Sequence, residues 1–161
     1  MDGTRSPWGF DKGLVRRMLR WAFMPTGQRL QVSPVSDATT NGIRVEVMSR
    51  HVPEHSPQQE GQWVFEYTVR ITNRSSETVQ LVSRHWLIID ALEQLREVQG
   101  MGVVGKQPVL KPGEQFQYSS WCPLPTPTGT MHGTYRIARE GGAVFDAEIA
   151  PFSLRAGYTV H

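Results

Sequence analysis

The sequence predicts an all-β fold, an immunoglobulin-like or fibronectin type III-like β-sandwich of seven or eight antiparallel strands. From residue 42 onward, apolar and polar side chains alternate with a period of two, as they do in strands that bury one face. Turn-forming residues separate these runs, and no helical pattern of useful length appears after residue 42. Short strands with regular turns over about 120 residues favour a sandwich. An eight-stranded barrel is the alternative.

The strands and turns follow one another along the chain. One run, residues 79–89, is apolar on much of both faces, as expected of a central strand. The other runs alternate and mark half-buried strands: residues 43–47, 63–72, 116–118, 131–138 and 143–149, with Phe152 and Leu154 closing the chain. The turn signals between them lie at residues 73–76, 90–94, 111–113, 123–129 and 140–142.

The first 41 residues are predicted to be a basic N-terminal extension of a domain that spans residues 42–161. Residues 1–40 hold six basic and three acidic side chains, a net charge of +3. Apolar residues at helical spacing predict a short basic amphipathic helix over residues 11–23, and residues 26–41 resemble a linker. The extension could lie on an anionic membrane surface, dock on a partner, pack on the domain or be a disordered tail.

Composition excludes several classes of function. Residues 41–161 hold eleven basic and twelve acidic side chains, so the domain has no electrostatic footprint for nucleic acid. The longest apolar runs are too short to cross a bilayer. A single cysteine, Cys122, rules out an intrachain disulfide and a cysteine-built metal site. We therefore expect a cytoplasmic protein without a cofactor, a nucleic-acid partner or integral membrane association.

A glycine-rich stretch, Gly100 to Gly105, matches the pattern G-x-G-x-x-G. A dinucleotide-binding loop needs a helix directly after these glycines, and Pro108 with Val109 prevents one. A weaker prediction remains, in which the amides of this loop bind an anion and Lys106 or Arg84 supplies charge. The alternative is a tight loop between strands in which glycine provides positive φ angles.

The tetrapeptide Ser83-Arg84-His85-Trp86 combines a hydroxyl, a guanidinium and an imidazole on a predicted central strand. Alternation places Ser83 and His85 on one face and Arg84 and Trp86 on the other. A catalytic Ser–His dyad would also need an orienting acid and an oxyanion hole, and neither is indicated. The favoured interpretation is a buried, hydrogen-bonded His85, a core Trp86, and an ion pair of Arg84 with a carboxylate such as Asp90 or Glu97.

Two further motifs are interpreted as structural. Residues 51–55 match the zinc-peptidase string H-x-x-E-H, but Pro53 would break the helix that must carry both histidines. No further ligand pattern follows, so no metal site is predicted. Cys122 has no basic neighbour in the sequence to lower its pKa, and we expect it to pack rather than to catalyse.

Several motifs in the same order resemble the ApaG family, over residues 42–161, about three-quarters of the chain. They are Ser83-Arg84-His85-Trp86 with Asp90, residues 97–108, Pro112-Gly113-Glu114, Phe116-Gln117-Tyr118, residues 127–135, and Phe152 with Leu154. The resemblance implies a fibronectin type III-like sandwich, and it implies no catalytic residues in this chain. It also implies a link to divalent-cation (cobalt, magnesium) efflux or resistance and to dinucleoside polyphosphate metabolism. His51 and His55 depart from the family pattern, and residues 1–40 lie outside it.

Together these observations predict a non-enzymatic ApaG-type binding module with an unidentified protein partner. The alternative is a regulator that binds pyrophosphate or a dinucleoside polyphosphate through Gly100, Gly102, Gly105 and Lys106, supported by Arg84 and His85. Free sheet edges also leave a homodimer open.

Overall fold

A computed structural model describes residues 35–55 and 61–157 of the 161-residue chain. The predicted helix at residues 11–23 lies outside the described residues. The described chain forms nine strands and one 3-10 turn, Pro53–His55. The strands are β1 (Ser36–Thr40), β2 (Ile43–His51), β3 (Trp63–Asn73), β4 (Val79–Asp90), β5 (Leu95–Met101), β6 (Val109–Leu110), β7 (Gln115–Leu124), β8 (Thr128–Arg139) and β9 (Val144–Arg155).

The strands form two antiparallel sheets, which confirms the predicted β-sandwich and not the barrel. The four-stranded sheet has the order β1-β2-β3-β7. The five-stranded sheet has the order β5-β4-β8-β9, and β6 pairs with β4 at its end. Within the described residues no helix is long and apolar enough to cross a membrane.

Three strands were not predicted, and the described chain therefore has nine strands where seven or eight were expected. Strand β1 lies inside the segment that was predicted to be a linker, and β5 and β6 lie where no alternating run was found. All three are peripheral and bury few side chains, so their sequences carry little apolar periodicity. The two last apolar runs belong to one long strand, β9.

The core lies between the sheets and is centred on Trp86, which is 1% exposed. Its ring packs against Tyr67, Tyr135 and Phe152 at centroid distances of 5.1, 6.2 and 6.1 Å. Tyr118 from the opposite sheet shares a hydrogen bond with the Tyr135 hydroxyl. That bond satisfies two buried polar groups and ties the sheets together. The prediction that Trp86 is a core residue is confirmed.

The two sides of the sandwich are closed to different degrees. On one side, β1 is joined to β9: Ser36 Oγ donates to the Ala150 carbonyl at 2.6 Å, and the Glu148 amide donates to Thr40 Oγ1 at 3.1 Å. On the other side, β5 and β7 form the edges of the two sheets. Arg96 on β5 spans this side and donates to the Pro123 carbonyl at 3.0 Å.

Candidate functional site

The site that best combines exposure with polar chemistry is a shallow groove of about 470 Å³ on the five-stranded sheet, here called the β4–β5 groove. It is open to solvent along the sheet. Strands β4, β5, β8 and β9 supply the residues that line it: Ser83, Arg84, His85, Gln99, Gly100, Met101, Thr134, Arg136 and Asp146.

His85 lies in this groove and not in the core, so the expectation of a buried histidine is wrong. Its side chain is 37% exposed, and its Nε2 atom lies 3.2 Å from Glu97 Oε1 and 3.3 Å from Gln99 Nε2. The physical reason is an irregularity in β4 between Leu81 and Ser83, where the register with β8 shifts. The extra residue reverses the alternation, which sends His85 outward.

Arg84 also differs from its prediction, because it bonds backbone carbonyls and not a carboxylate. Its Nη1 atom donates to the Gly102 carbonyl at 2.8 Å and to the Met101 carbonyl at 3.2 Å. Gly100 makes this reach possible: a Cβ atom there would lie 2.9 Å from the guanidinium. Of the two suggested partners, Asp90 accepts hydrogen bonds from the amides at positions 92 and 94 in the β4–β5 hairpin, and Glu97 lies beside His85.

The glycine-rich stretch forms the end of β5 and a tight turn. Gly102, Val104 and Gly105 have φ angles of 65°, 43° and 78°, as expected of a loop that needs positive φ. The amides of Val103 and Lys106 each donate to the carbonyl of the other, and the Gly102 amide donates to Val82. These three donors are therefore already used. Within the described chain, the amides of Val104 and Gly105 donate to no other group.

The structure therefore divides the predicted anion site into two parts. Arg84, His85 and Gly100 line the β4–β5 groove. Gly102, Gly105 and Lys106 belong to the adjoining turn and are not among the groove residues. Whether the turn binds phosphate stays a prediction.

Sequence analysis missed the partners that β8 and β9 bring to the groove. Arg136 Nε lies 3.3 Å from Asp146 Oδ1, and this exposed pair forms one wall. Thr134 is the register partner of His85, and Arg136 is the partner of Ser83. A correct pairing of β4 with β8 would have found both residues, but strand pairing is non-local and no short motif encodes it.

The structure also places the two motifs that were interpreted as structural, the H-x-x-E-H string at residues 51–55 and Cys122. Residues 53–55 form a 3-10 turn, and among the described residues no group of three or more His, Cys, Asp or Glu side chains could hold a metal ion. Burial lowers the pKa of His51.

Cys122 is 1% exposed and, contrary to expectation, has a basic neighbour, since Arg96 Nη2 lies 3.4 Å from its Sγ atom. Burial nevertheless dominates and raises the pKa of the thiol to about 11.

Fold and groove define a class of protein: a two-sheet β-sandwich with an open polar groove beside an edge strand. Comparison with known proteins then identifies the family. The ApaG domain model matches residues 53–139, and the chain belongs to the ApaG family.

Known relatives cover most of this domain. The chain is 53% identical over 119 residues to Protein ApaG of Bordetella pertussis, covering 74% of this chain and 91% of that protein. It is 56% identical over 117 residues to Protein ApaG of Methylobacterium sp. (strain 4-46), covering 73% and 90%. A crystal structure of a Bordetella pertussis protein described as ApaA is similar at 50% identity and a TM-score of 0.70, covering 79% and 99%.

Proposed function

We propose that this chain is a non-enzymatic binding module that recognises a protein partner through the β4–β5 groove. The observation that carries the proposal is the chemistry of the groove: side chains of both charges lie beside exposed apolar groups. Arg136 and Asp146 are about half exposed. Met101 and the neighbouring Val104 are 68% and 50% exposed. Mixed polar and apolar surface of this kind is what non-obligate protein interfaces use.

The same groove gives no support for an assembled catalytic group. Ser83 and His85 are close on the chain, but the imidazole is engaged by Glu97 and Gln99. A nucleophile must lie within hydrogen-bond reach of its base, and no such bond joins Ser83 to His85 among the described residues. The proposal therefore assigns the groove to binding.

The proposal is tested by capture from a bacterial extract with the full chain and three matched variants. Met101→Asp and Arg136→Glu change the groove, whereas Lys111→Glu changes an exposed side chain in the turn after β6. We expect one set of proteins to bind the wild type and Lys111→Glu and to be lost with both groove variants. A captured set that is the same for all four proteins, each verified as folded, would contradict the proposal.

The link to divalent cations that the family resemblance implies belongs to this proposal as its physiological setting. In a strain that lacks the protein, we expect greater sensitivity to Co²⁺, rescued by the wild type and by Lys111→Glu but not by Arg136→Glu.

Amide NMR titration with pyrophosphate, Mg²⁺ and Co²⁺ tests the alternative function, a regulator that binds a phosphate ligand. Saturable shifts confined to residues 100–106 would favour a phosphate-binding regulator over a protein-binding module.

A further inference from the structure

The free edge of β5 is the least protected edge among the described strands. Strand β9 contains Pro151 and is covered by β1. Strand β7 contains Pro123, whose carbonyl accepts a bond from Arg96. By contrast, β5 has neither proline nor lysine, and it pairs with β4 without a register shift from Leu95 to Met101. Regular, exposed edges of this kind accept a further strand unless they are blocked.

The backbone groups available at this edge follow from the β4–β5 ladder. The Asp90 amide donates to the Gln94 carbonyl, and the Gly102 amide donates to the Val82 carbonyl. Hydrogen-bonded pairs alternate along an antiparallel ladder, so the even-numbered residues of β5 bond to β4. Leu95, Glu97, Gln99 and Met101 therefore direct their amides and carbonyls away from the sheet. Only the Met101 carbonyl has a partner among the described residues, because Arg84 donates to it at 3.2 Å.

The inner side of the edge is positively charged around an apolar centre. Arg96 lies at one end, and its side chain reaches Cys122 and Pro123 on β7. The guanidinium of Arg84 lies under Gly100 at the other end. Val98 lies between them and packs against the core. A strand added here would place three successive inner side chains opposite Arg96, Val98 and Gly100.

The outer side of the edge has a different pattern. Leu95 and Met101 are 60% and 68% exposed, and Glu97 lies between them. An added strand would therefore be complementary if its outer side chains were apolar at both ends with a basic residue opposite Glu97.

From these two patterns we infer that β5 binds an extended segment of the partner protein as an added antiparallel strand, with two acidic residues flanking an apolar residue on its inner face. The inference rests on the proposed function, because it names how that partner is recognised. Strand addition obtains affinity from main-chain hydrogen bonds and specificity from alternate side chains.

A second copy of this chain fits the edge less well. Antiparallel self-pairing that uses all of β5 is centred on Val98, and it places Arg96 of each copy beside Gly100 of the other. Because the guanidinium of Arg84 lies under Gly100, two cations would then face each other at both ends. Like charges directly opposed destabilise strand pairs.

The test uses a fluorescein-labelled synthetic peptide, Leu-Glu-Thr-Val-Lys-Glu-Ile, and the full chain, followed by fluorescence anisotropy. This peptide matches β5 from Met101 to Leu95 in antiparallel register. The ligand controls are a charge-swapped peptide, Leu-Lys-Thr-Val-Lys-Lys-Ile, and a version of the first peptide that is N-methylated at its Thr and its Lys. Gln99→Pro removes an outward amide without removing a bond to β4, and Gln99→Ala keeps that amide as the matched control.

We expect saturable binding of the first peptide that is at least tenfold weaker for both control peptides and for Gln99→Pro. Gln99→Ala, which loses the same groove side chain but keeps the amide, should bind the first peptide at least tenfold more tightly than Gln99→Pro, and Arg96→Glu should improve binding of the charge-swapped peptide. Equal binding of the methylated and unmethylated peptides, or no saturation at millimolar protein, would overturn the inference. The methylated peptide keeps the test decisive if Gln99→Pro does not fold.

Three further outcomes separate strand addition by a partner from self-association of this chain and from failure of the proposed groove interface. If sedimentation shows a dimer that Gln99→Pro converts to a monomer while Gln99→Ala does not, the edge belongs to a second copy and the inference is wrong. If the peptide fails to bind but capture of a partner still depends on Arg136, only the strand-addition inference is lost. If capture is also independent of Arg136, the proposed function is lost as well.

Discussion

The three glycines of the predicted anion loop are in different environments, so alanine at each position should have a different cost. Gly102 has a φ of 65°, and a Cβ atom there would overlap the Lys106 carbonyl oxygen. Alanine in this left-handed conformation costs about 1–2 kcal/mol. Moving the Lys106 carbonyl away also breaks the backbone bond that it accepts from the Val103 amide, worth about 1 kcal/mol. We expect Gly102→Ala to lower the free energy of unfolding by about 2–3 kcal/mol.

The other two substitutions act as graded controls. Gly105 has a φ of 78°, but a Cβ atom added there would meet no other atom within 4 Å. Gly105→Ala should therefore lower the free energy of unfolding only by the cost of the left-handed backbone conformation, about 1–2 kcal/mol. Gly100 has no positive φ, and its Cβ atom would meet the flexible end of Arg84. Gly100→Ala should therefore cost less than about 1 kcal/mol.

Urea denaturation of the full chain, monitored by tryptophan fluorescence, measures these differences as shifts of the midpoint at constant slope. The order of destabilisation should be Gly102, then Gly105, then Gly100. A Gly102→Ala protein no less stable than Gly105→Ala would refute the reasoning, because the two share the left-handed conformation and differ in the collision with Lys106. It would mean that the turn can open at no cost.

Other buried groups give three more predictions. Burial raises the pKa of Glu66 to about 8, so the contribution of its protonated form to stability is complete below about pH 4 and is lost as the pH rises through 8. Glu66→Gln should remove up to about 4 kcal/mol of this decline in the free energy of unfolding. Urea midpoints at pH 5 and 8 measure the difference. Cys122, with its pKa raised to about 11, should react with iodoacetamide at pH 7.5 only in denaturant. Thr68→Val should lower the free energy of unfolding by about 1–3 kcal/mol, because the buried Ser119 hydroxyl loses its hydrogen-bond partner 2.6 Å away. Adding Ser119→Ala should recover part of this loss, as measured by thermal unfolding.

The sequence predicted the sandwich because each of its long strands sends an alternating set of apolar side chains into the core. Residues 63–72 alternate and lie within β3, and residues 79–89 lie within β4. Strand β5 was missed for the opposite physical reason. Most of its side chains are exposed, and an edge strand has few neighbours to impose an apolar period. The strand on which the further inference depends is therefore among those that sequence patterns detect least well.

A single irregularity in β4 explains why the position of His85 was not predicted. Uniform alternation along β4 from the buried Val79 and Leu81 would place His85 in the core. The register shift between Leu81 and Ser83 moves the inward-facing positions to Arg84 and Trp86, so His85 faces solvent. A bulge is a property of two paired strands, so the sequence of one strand could not reveal it.

The glycine-rich turn shows the same limit for hydrogen bonding. The pattern of glycines correctly indicated positive φ angles at Gly102 and Gly105, though not at Gly100, because backbone freedom belongs to each residue alone. Whether an amide is free for an anion depends on what the rest of the chain places opposite it. Val82 and Lys106 already occupy the amides of Gly102 and Val103. An anion at this turn would therefore have to be held by Val104, Gly105 and the Lys106 side chain, a smaller set of donors than the motif suggested.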